Sequence, residues 1–306
     1  DPAMHRYTPT PGLPALRQDL ADKPLRAAGV SVQAAQVLVT HGGPPTVERL
    51  VGPVDSVHAA GPVLPSSRRP VVAVVHDVAA LDHPDLHPTR DVAQLRRYVA
   101  GLRRAAAVVT GSQATADRLA ELVPGLTVRV TPYGRAPLAV PEAPPLAGRP
   151  YVLVVGAPVP RKEYDVLLRA VDRLARPDVA VAIVGPPGSE DPALAQLVGA
   201  LGMGERVHRA RQVSDGELAG WYAGATVLAA PSVEEGFSFP VVEAQGLGVP
   251  VVASDIPVHR EVAGPDATLV PVGDVEALAD ALDAAMAGGP EVERAIRAGR
   301  ANAARF

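Results

Sequence analysis

The sequence predicts an α/β protein made of two consecutive domains, each with a doubly wound parallel sheet. Short, uniformly apolar runs rich in valine alternate with segments of helical periodicity, which is typical of parallel strands covered by helices on both faces. The alternation stops at a stretch with five prolines over 136–150 and then starts again. A chain of 306 residues is long enough for two domains of ordinary size.

The first half contains the clearest alternation between residues 70 and 134. Strands are predicted over 70–77, 106–112 and 128–134, and a helix over 91–105. A second helix follows Ser112, whose hydroxyl is a suitable N-cap. The segment 31–43 fits either a helix that ends at Gly42 or a strand that leads into a glycine loop. The glycine-rich turn that normally opens a doubly wound domain is not identified.

The second half repeats the pattern from residue 151. Strands are predicted over 151–157, 179–188, 226–232, 249–253 and 267–272, and helices over 162–175, 191–201, 215–223, 274–288 and 291–304. We therefore assign a first domain to 1–140, a linker to 141–150, a second domain to 151–288, and a final helix to 289–306 that we expect to pack back on the first domain.

Composition narrows the functional classes. No apolar run reaches the roughly 18 residues of a membrane span, no secretory leader is recognisable, and the absence of cysteine excludes disulfides and thiolate chemistry. We therefore expect a soluble, cytoplasmic protein. A net charge of −4 gives no general attraction to nucleic acid.

The segment 231–255, PSVEEGFSFPVVEAQGLGVPVVASD, places carboxylates in an apolar run, where burying charge is costly. Pro240 suits the first turn of a helix, so Glu235 falls in the preceding loop and Glu243 near the helix start. Carboxylates accept hydrogen bonds from hydroxyls, and free amides at a helix start favour phosphate. A sugar nucleotide offers both groups. The alternative is that Glu234 and Glu235 are solvated loop charges and Glu243 complements the helix dipole.

The run EEGFSFPVVEAQGLGVPVVASD resembles the E-x7-E signature of retaining glycosyltransferases with the two-domain GT-B fold, in particular family 4. HREVAG after it, YVLVVGAPVPRKEYDVLLRAV at 151–171 and VSDGELAGWYAGA before it are also similar to that family. In the first half, the segment VVAVVHDVA at 71–79 is also similar to that family. The resemblance extends over about residues 44–285 and implies the GT-B architecture.

The resemblance assigns roles to matching positions. It implies that Glu235 holds hydroxyls of the transferred sugar, that Glu243 binds the ribose, and that Arg161 and Lys162 neutralise the leaving diphosphate. It implies that His76 lines the donor-sugar pocket. Contacts with the sugar and phosphates are expected from Gly156, Gly236, Phe237, Ser238, Phe239, Val241 and Val242.

Several of these residues have simpler explanations. A basic pair at a helix start is commonly solvated, and a histidine at a strand end is commonly structural. Asp77 and His41 are weaker candidates, and the N-cap role explains Ser112 without function. The turn GPPG over 185–188 is either a plain strand-end turn or a wall of the nucleotide pocket.

The expected function is transfer of a sugar from a nucleotide-diphosphate sugar to a sugar, lipid or small-molecule acceptor, without a cofactor. The sequence has no Asp-x-Asp motif, and the resemblance implies metal independence. The lack of a P-loop and of a G-x-G-x-x-G motif disfavours kinases and dehydrogenases. A sugar-nucleotide epimerase or phosphorylase on the same fold is one alternative.

A catalytically inert sugar-nucleotide-binding subunit is another alternative. Ala157, which stands where the family often has arginine, and the unidentified first glycine loop favour it; Tyr133 also departs from the family pattern. Arg103 and Arg104, or arginines of the final helix, are candidates for peripheral contact with the inner face of an anionic membrane, although a solvated face is the simpler explanation. The sequence does not predict the oligomeric state.

Overall fold

A computed structural model describes residues 37–40, 55–135, 139–143, 146 and 148–306. The chain divides into two compact units between Pro132 and Tyr133, and each unit contains one sheet. The division lies before the proline-rich stretch that we assigned as a linker from the sequence.

The described strands of the first unit form a parallel five-stranded sheet in chain order. The strands are β1 (Val37–Thr40), β2 (Ser56–Ala59), β3 (Val71–Val75), β4 (Ala107–Thr110) and β5 (Val128–Val130). β1 shows that the strand alternative for 31–43 is correct over its described part. The helices are Ala79–Asp82, Thr89–Gly101 and Gln113–Leu122, with 3-10 turns at Pro84–Leu86 and Leu102–Arg104.

The helix Thr89–Gly101 forms because its apolar residues recur at helical spacing, so that Leu95, Tyr98 and Val99 share one buried face. This face packs against Ala73 and Val75 of β3, and the Tyr98 hydroxyl donates to the carbonyl oxygen of Val74 at 2.8 Å. Ser112 is the predicted N-cap of the next helix, and its Oγ accepts from the amide of Thr115 at 3.2 Å.

The second unit has a six-stranded parallel sheet in the order β11-β10-β9-β6-β7-β8. The strands are β6 (Tyr151–Val155), β7 (Ala180–Val184), β8 (Val207–Ala210), β9 (Val227–Ala230), β10 (Val251–Ser254) and β11 (Thr268–Val270). The helices are Tyr164–Arg173, Asp191–Ala200, Asp215–Gly224, Phe239–Leu247, Pro257–Ala263, Val275–Ala287 and Pro290–Ala303, with a 3-10 turn at Pro160–Lys162.

The strand order of the second unit reverses between β6 and β9. The chain starts at β6, moves outward to β8, and returns to β9 on the other side of β6. The loops that follow β6 and β9 therefore start side by side at the carboxyl edge of the sheet. In open parallel sheets, this switch point is where ligands bind.

Helices cover both faces of the second sheet, as the apolar strands predict. One core layer contains Leu167, Leu168 and Leu282. The other contains Tyr151 and Trp221, whose rings meet edge to face at 5.8 Å between centroids. β8 was not predicted, because it is an edge strand whose four residues are all only half-buried.

The final helix Pro290–Ala303 packs against the helix Phe239–Leu247 within the second unit. Asn302 donates from Nδ2 to Oε1 of Gln245 at 2.8 Å and to the carbonyl oxygen of Val262 at 2.7 Å. These contacts all lie within the second unit, and the packing of this helix on the first domain stays a prediction. No helix among the described residues is both long and apolar enough to cross a membrane.

Candidate functional site

The signature loop (231–238) follows β9, and the signature helix (Phe239–Leu247) follows the loop. The predicted division is confirmed: Glu235 lies in the loop and Glu243 in the helix. The helix begins at Phe239, one residue before Pro240, so Glu243 is its fifth residue rather than part of its start. Both carboxylates belong to the segment that leaves the switch point.

Glu235 is the centre of an ionic cluster. Its side chain is 8 % exposed, and its Oε1 accepts from Nζ of Lys162 and from Oγ of Ser232 at 2.7 Å. Its Oε2 lies 3.0 Å from Nη1 of Arg161. The three partners explain how a carboxylate is tolerated in this apolar run, because a buried charge must be paired and hydrogen-bonded.

The charge state of Glu235 follows from these contacts. Burial opposes ionisation, but Lys162 and Arg161 outweigh it and lower the pKa of Glu235 to about 2. The site therefore holds two cations and one carboxylate near neutral pH. Burial raises the pKa of the adjacent Tyr164, and the negative charge of Glu235 acts in the same direction.

The Arg-Lys turn (Pro160–Lys162) brings the two cations to Glu235. It lies in the loop after β6, and its proline stands at the first position of the 3-10 turn. The turn is fixed to the signature loop at two points: the amide of Val233 donates to the carbonyl oxygen of Arg161 at 2.8 Å, and Nη1 of Arg161 donates to that of Glu234 at 3.0 Å. These two hydrogen bonds therefore tie the loop after β6 to the loop after β9.

Gly156 directly follows β6 and has a φ of +134°, and its amide donates to the carbonyl oxygen of Val184 at 2.8 Å. A Cβ at Gly156 would lie 3.7 Å from Nζ of Lys162, so the backbone runs directly beside this ammonium group. Gly188, in the GPPG turn after β7, packs on the backbone of Pro158 without room for a side chain. The GPPG turn therefore supports the loop that carries Arg161 and Lys162.

Ser238 occupies the N-cap position of the signature helix in a left-handed conformation, with φ +67° and ψ +59°. Its hydroxyl does not cap the helix; it lies 3.2 Å from Nε2 of the buried His259. The first amides of a helix have no intrahelical acceptor and carry the positive end of the helix dipole. The start of the signature helix is therefore suited to an anion.

Glu243 is half-buried, and its Oε2 accepts from the hydroxyl of Tyr222 at 2.6 Å. Tyr222 is fully buried, and burial raises the pKa of its hydroxyl well above the usual value, with the charge of Glu243 acting in the same direction. The hydroxyl therefore stays protonated and fixes one oxygen of Glu243. The other oxygen can accept from a ligand hydroxyl.

The three phenylalanines of the sequence lie together with Tyr133. Phe237 lies 5.0 Å from Phe239 and 5.3 Å from Phe306 between ring centroids, and Tyr133 stacks on Phe239 at 5.5 Å. This cluster holds the end of the signature loop against the chain before and after it.

The side chains of Val241 and Val242 are buried. The amide of Val241 donates to the carbonyl oxygen of Ser238 at 3.1 Å. The predicted contact of these two valines with a ligand is therefore limited to backbone groups, because their side chains face the protein interior.

His76 lies in the first unit, directly after β3. Its side chain is exposed, and Nε2 lies 3.0 Å from the carbonyl oxygen of Ala60. Oδ1 of Asp77 accepts from the amide of Ala79 at 3.1 Å, which gives Asp77 a structural role at a helix start. His41, Gly42 and Gly43 lie outside the described residues.

Sequence reasoning did not identify Ser232, Tyr222, Ser254 and His259 as parts of the site. Tyr222 and His259 fall within the quoted segments, and Ser232 and Ser254 are polar residues at the carboxyl ends of apolar strands, which is a usable signal. In the described part of the chain, no group of three histidine or carboxylate side chains is arranged to hold a metal ion.

The sequence is similar to those of known glycosyltransferases. An MMP α-(1→4)-mannosyltransferase from Mycolicibacterium hassiacum is 40 % identical over 131 residues, which is 42 % of this chain and 32 % of that protein. O-antigen chain mannosyltransferase B from Escherichia coli is 28 % identical over 237 residues, covering 72 % of this chain and 62 % of that protein. The chain thus spans only part of the length of these relatives.

Solved structures show the same fold. The crystal structure of Anabaena HepE in complex with UDP-glucose superposes with a TM-score of 0.69 and 21 % identity, covering 82 % of this chain and 74 % of that chain. The two parallel-sheet units are those of the GT-B fold. The model of the family described as glycosyl transferases group 1 matches residues 141–302, about half of the chain, including the Arg-Lys turn and both glutamates. The chain belongs to the group 1 glycosyl transferases.

Proposed function

We propose that the chain transfers a sugar from a nucleoside-diphosphate sugar to an acceptor hydroxyl and retains the configuration at the anomeric carbon. The observation that carries this proposal is the cluster of Glu235, Lys162 and Arg161 at the switch point of the second sheet. Family membership and the sugar nucleotide bound to the similar HepE structure support it.

The charges of the cluster suit a departing diphosphate. Two cations and one carboxylate leave one positive charge in a site where Lys162 is 14 % and Arg161 23 % exposed. Negative charge on the leaving phosphate grows as the bond to the sugar breaks. Fixed positive charge away from bulk water stabilises such a transition state strongly, because less solvent screens it.

Glu235 has room for one more partner. A carboxylate has about four acceptor positions, and Lys162, Ser232 and Arg161 occupy three of them. The remaining position is on Oε2, since Oε1 already accepts twice. We assign it to a hydroxyl of the transferred sugar.

The signature helix supplies the other contacts. The amides at its uncapped start, after Ser238, would donate to the phosphates. The Glu243 oxygen that Tyr222 does not contact would accept a hydrogen bond from a ribose hydroxyl. Glu235 and Glu243 then bind different parts of one donor. Among the relatives, the proteins named mannosyltransferases make mannose one candidate for the transferred sugar.

In the proposed reaction, the bond between the anomeric carbon and the phosphate oxygen breaks, and the acceptor oxygen bonds to the same face of the sugar. The acceptor proton moves to the departing phosphate oxygen. Lys162 and Arg161 hold that phosphate, and no side chain acts as a covalent nucleophile. The reaction is expected to continue in the presence of a chelator.

Calorimetric titration with UDP, GDP and ADP, followed by transfer assays with the matching donors, tests the proposal. We expect one nucleoside diphosphate to bind and the product to keep the donor's anomeric configuration by NMR. Glu235→Ala and Lys162→Ala should abolish most of the transfer. Wild-type rates in both variants would refute the site. Binding without transfer to any acceptor would indicate an inert sugar-nucleotide-binding protein.

A further inference from the structure

Only two described residues other than glycine have a positive φ, and both flank the Glu235 cluster. Glu163, with φ +46°, directly follows Lys162, and Ser238, with φ +67°, lies three residues after Glu235. Residues with a Cβ rarely adopt this conformation. It persists where surrounding contacts hold it, and such positions concentrate at functional sites.

His259 is the contact that holds Ser238. The histidine is fully buried in the helix Pro257–Ala263. Its Nδ1 lies 2.8 Å from the carbonyl oxygen of Ser254, and its Nε2 lies 3.2 Å from Oγ of Ser238. Because a carbonyl can only accept, Nδ1 carries the proton, and Nε2 accepts from the Ser238 hydroxyl.

The surroundings favour the neutral ring that these two hydrogen bonds require. Burial lowers the pKa of His259, and the charge of Lys162 acts in the same direction. The hydrogen bond to Ser254 and the charge of Glu235 act in the opposite direction without reversing the shift.

Besides the contact of His259 with Ser238, the signature loop is held by Ser254, the last residue of β10. Oγ of Ser254 donates to the carbonyl oxygen of Ser232, and the Ser232 hydroxyl donates to Glu235 at 2.7 Å. Ser254 and His259 therefore hold the loop at Ser232 and Ser238, on either side of Glu235.

A buried histidine with both nitrogens bonded commonly serves only the protein core. Here its partner has a left-handed backbone, and the hydroxyl bound to Nε2 is the group that would otherwise cap the signature helix. His259 thus both supports the unusual backbone and leaves the helix start open.

We propose that His259 is a positioning residue: it fixes Ser238 in the left-handed conformation and so directs the first amides of the signature helix at the diphosphate of the donor. The inference rests on the proposed function, because it takes a nucleoside diphosphate as the ligand.

A comparison of four proteins tests it: the wild type, His259→Asn, Ser238→Gly and the double variant. Asparagine can keep the donor to Ser254 but lacks the acceptor for Ser238. With the best of UDP, GDP and ADP as the probe, His259→Asn should weaken binding about tenfold when Ser238 is present. In the Ser238→Gly background the same change should weaken binding less than about twofold, since glycine adopts positive φ without support.

His208→Asn is the matched control, because it makes the same change at a half-buried histidine of β8. It should leave probe binding unchanged. An equal loss from His259→Asn in both backgrounds, or no loss in either, would overturn the inference. If His259→Asn does not fold, Ser238→Ala removes the same hydrogen bond and should give the same tenfold loss.

The proposed function and this inference can fail separately. If the wild type binds none of the three probes, the proposed function fails. Urea unfolding of the four proteins still tests the conformational part without ligand: the destabilisation by His259→Asn should be smaller in the Ser238→Gly background, and equal destabilisation in both would refute it.

Discussion

Gly185 and Gly156 touch through their backbones at the ends of β7 and β6. A Cβ on Gly185 would lie 2.7 Å from the carbonyl carbon and oxygen of Gly156, and Gly185 also has a φ of +148°. This contact lies between the start of the loop after β6, which carries Lys162, and the start of the GPPG turn after β7, which supports that loop. It can be tested directly by adding one methyl group.

Gly185→Ala should lower the free energy of unfolding by about 3 kcal/mol, because both the backbone conformation and the close contact disfavour a side chain. Gly202→Ala is the control: Gly202 has a φ of +65°, but nothing lies within 4 Å of its Cβ position. The control should lose about 1 kcal/mol. Equal losses in urea unfolding would show that the contact with Gly156 is unimportant.

The stability of the second unit should depend on the ionisation of Glu235. The folded pKa is about 2 and the usual value is 4.5, so the unfolded chain binds the extra proton between these values. Stability from the cluster is therefore complete above pH 4.5 and is lost as the pH falls toward 2. The full effect is about 3 kcal/mol.

Unfolding of Glu235→Gln beside the wild type isolates this contribution, since other carboxylates titrate in both proteins. The variant should be less stable at pH 6, and the difference should narrow as the pH is lowered to 3. A difference that stays constant across this range would contradict the assigned pairing of Glu235 with Lys162 and Arg161.

Lys162→Met should weaken binding of the nucleoside diphosphate about 10- to 100-fold, because one charge-assisted hydrogen bond to phosphate is lost. The corresponding nucleoside, which lacks phosphate, should bind equally to both proteins. Arg176→Met removes a surface cation paired with Asp283 in the same unit and serves as the control. Equal weakening for nucleoside and nucleoside diphosphate would argue against a phosphate contact.

Tyr222→Phe should weaken binding of the nucleoside diphosphate several-fold, because Glu243 loses the hydroxyl that orients it. Inorganic pyrophosphate, which has no ribose, should bind unchanged. Tyr151→Phe removes a similar buried hydrogen bond, to the carbonyl oxygen of Trp221 at 2.6 Å, and should affect neither ligand. Both variants should lose about 1 kcal/mol of stability. Weaker pyrophosphate binding in Tyr222→Phe alone would contradict the ribose assignment.

Much of the fold could be predicted from the sequence, because valine runs with helices between them leave few alternatives to a parallel sheet. β8 could not, since His208 and Arg209 give an edge strand no apolar pattern. The strand order also lies beyond the sequence pattern. Without the strand order, only the family resemblance indicated that Lys162 and Glu235, which are 73 residues apart in the chain, lie in the same site.

The charged residues of the candidate site were identified from the sequence, but the residues that hold them in place were not. Glu235 stands out because charge in an apolar run is unusual, whereas Lys162 was a candidate only through the family resemblance. The bond between His259 and Ser238 depends on a backbone conformation that serine seldom adopts, so residue type gives no warning of it. Val241 and Val242 show the reverse case, since their place in the motif does not reveal that their side chains are buried.

The packing of Trp221 against Tyr151 has a practical consequence. Trp221 is the single tryptophan of the sequence, and it lies in the second unit beside Tyr222. Light absorbed at wavelengths that only indole absorbs therefore produces fluorescence from one place in the molecule. An emission change during denaturation reports on the second unit by itself, and the first unit can be followed separately through far-ultraviolet circular dichroism after the contribution of the second is known.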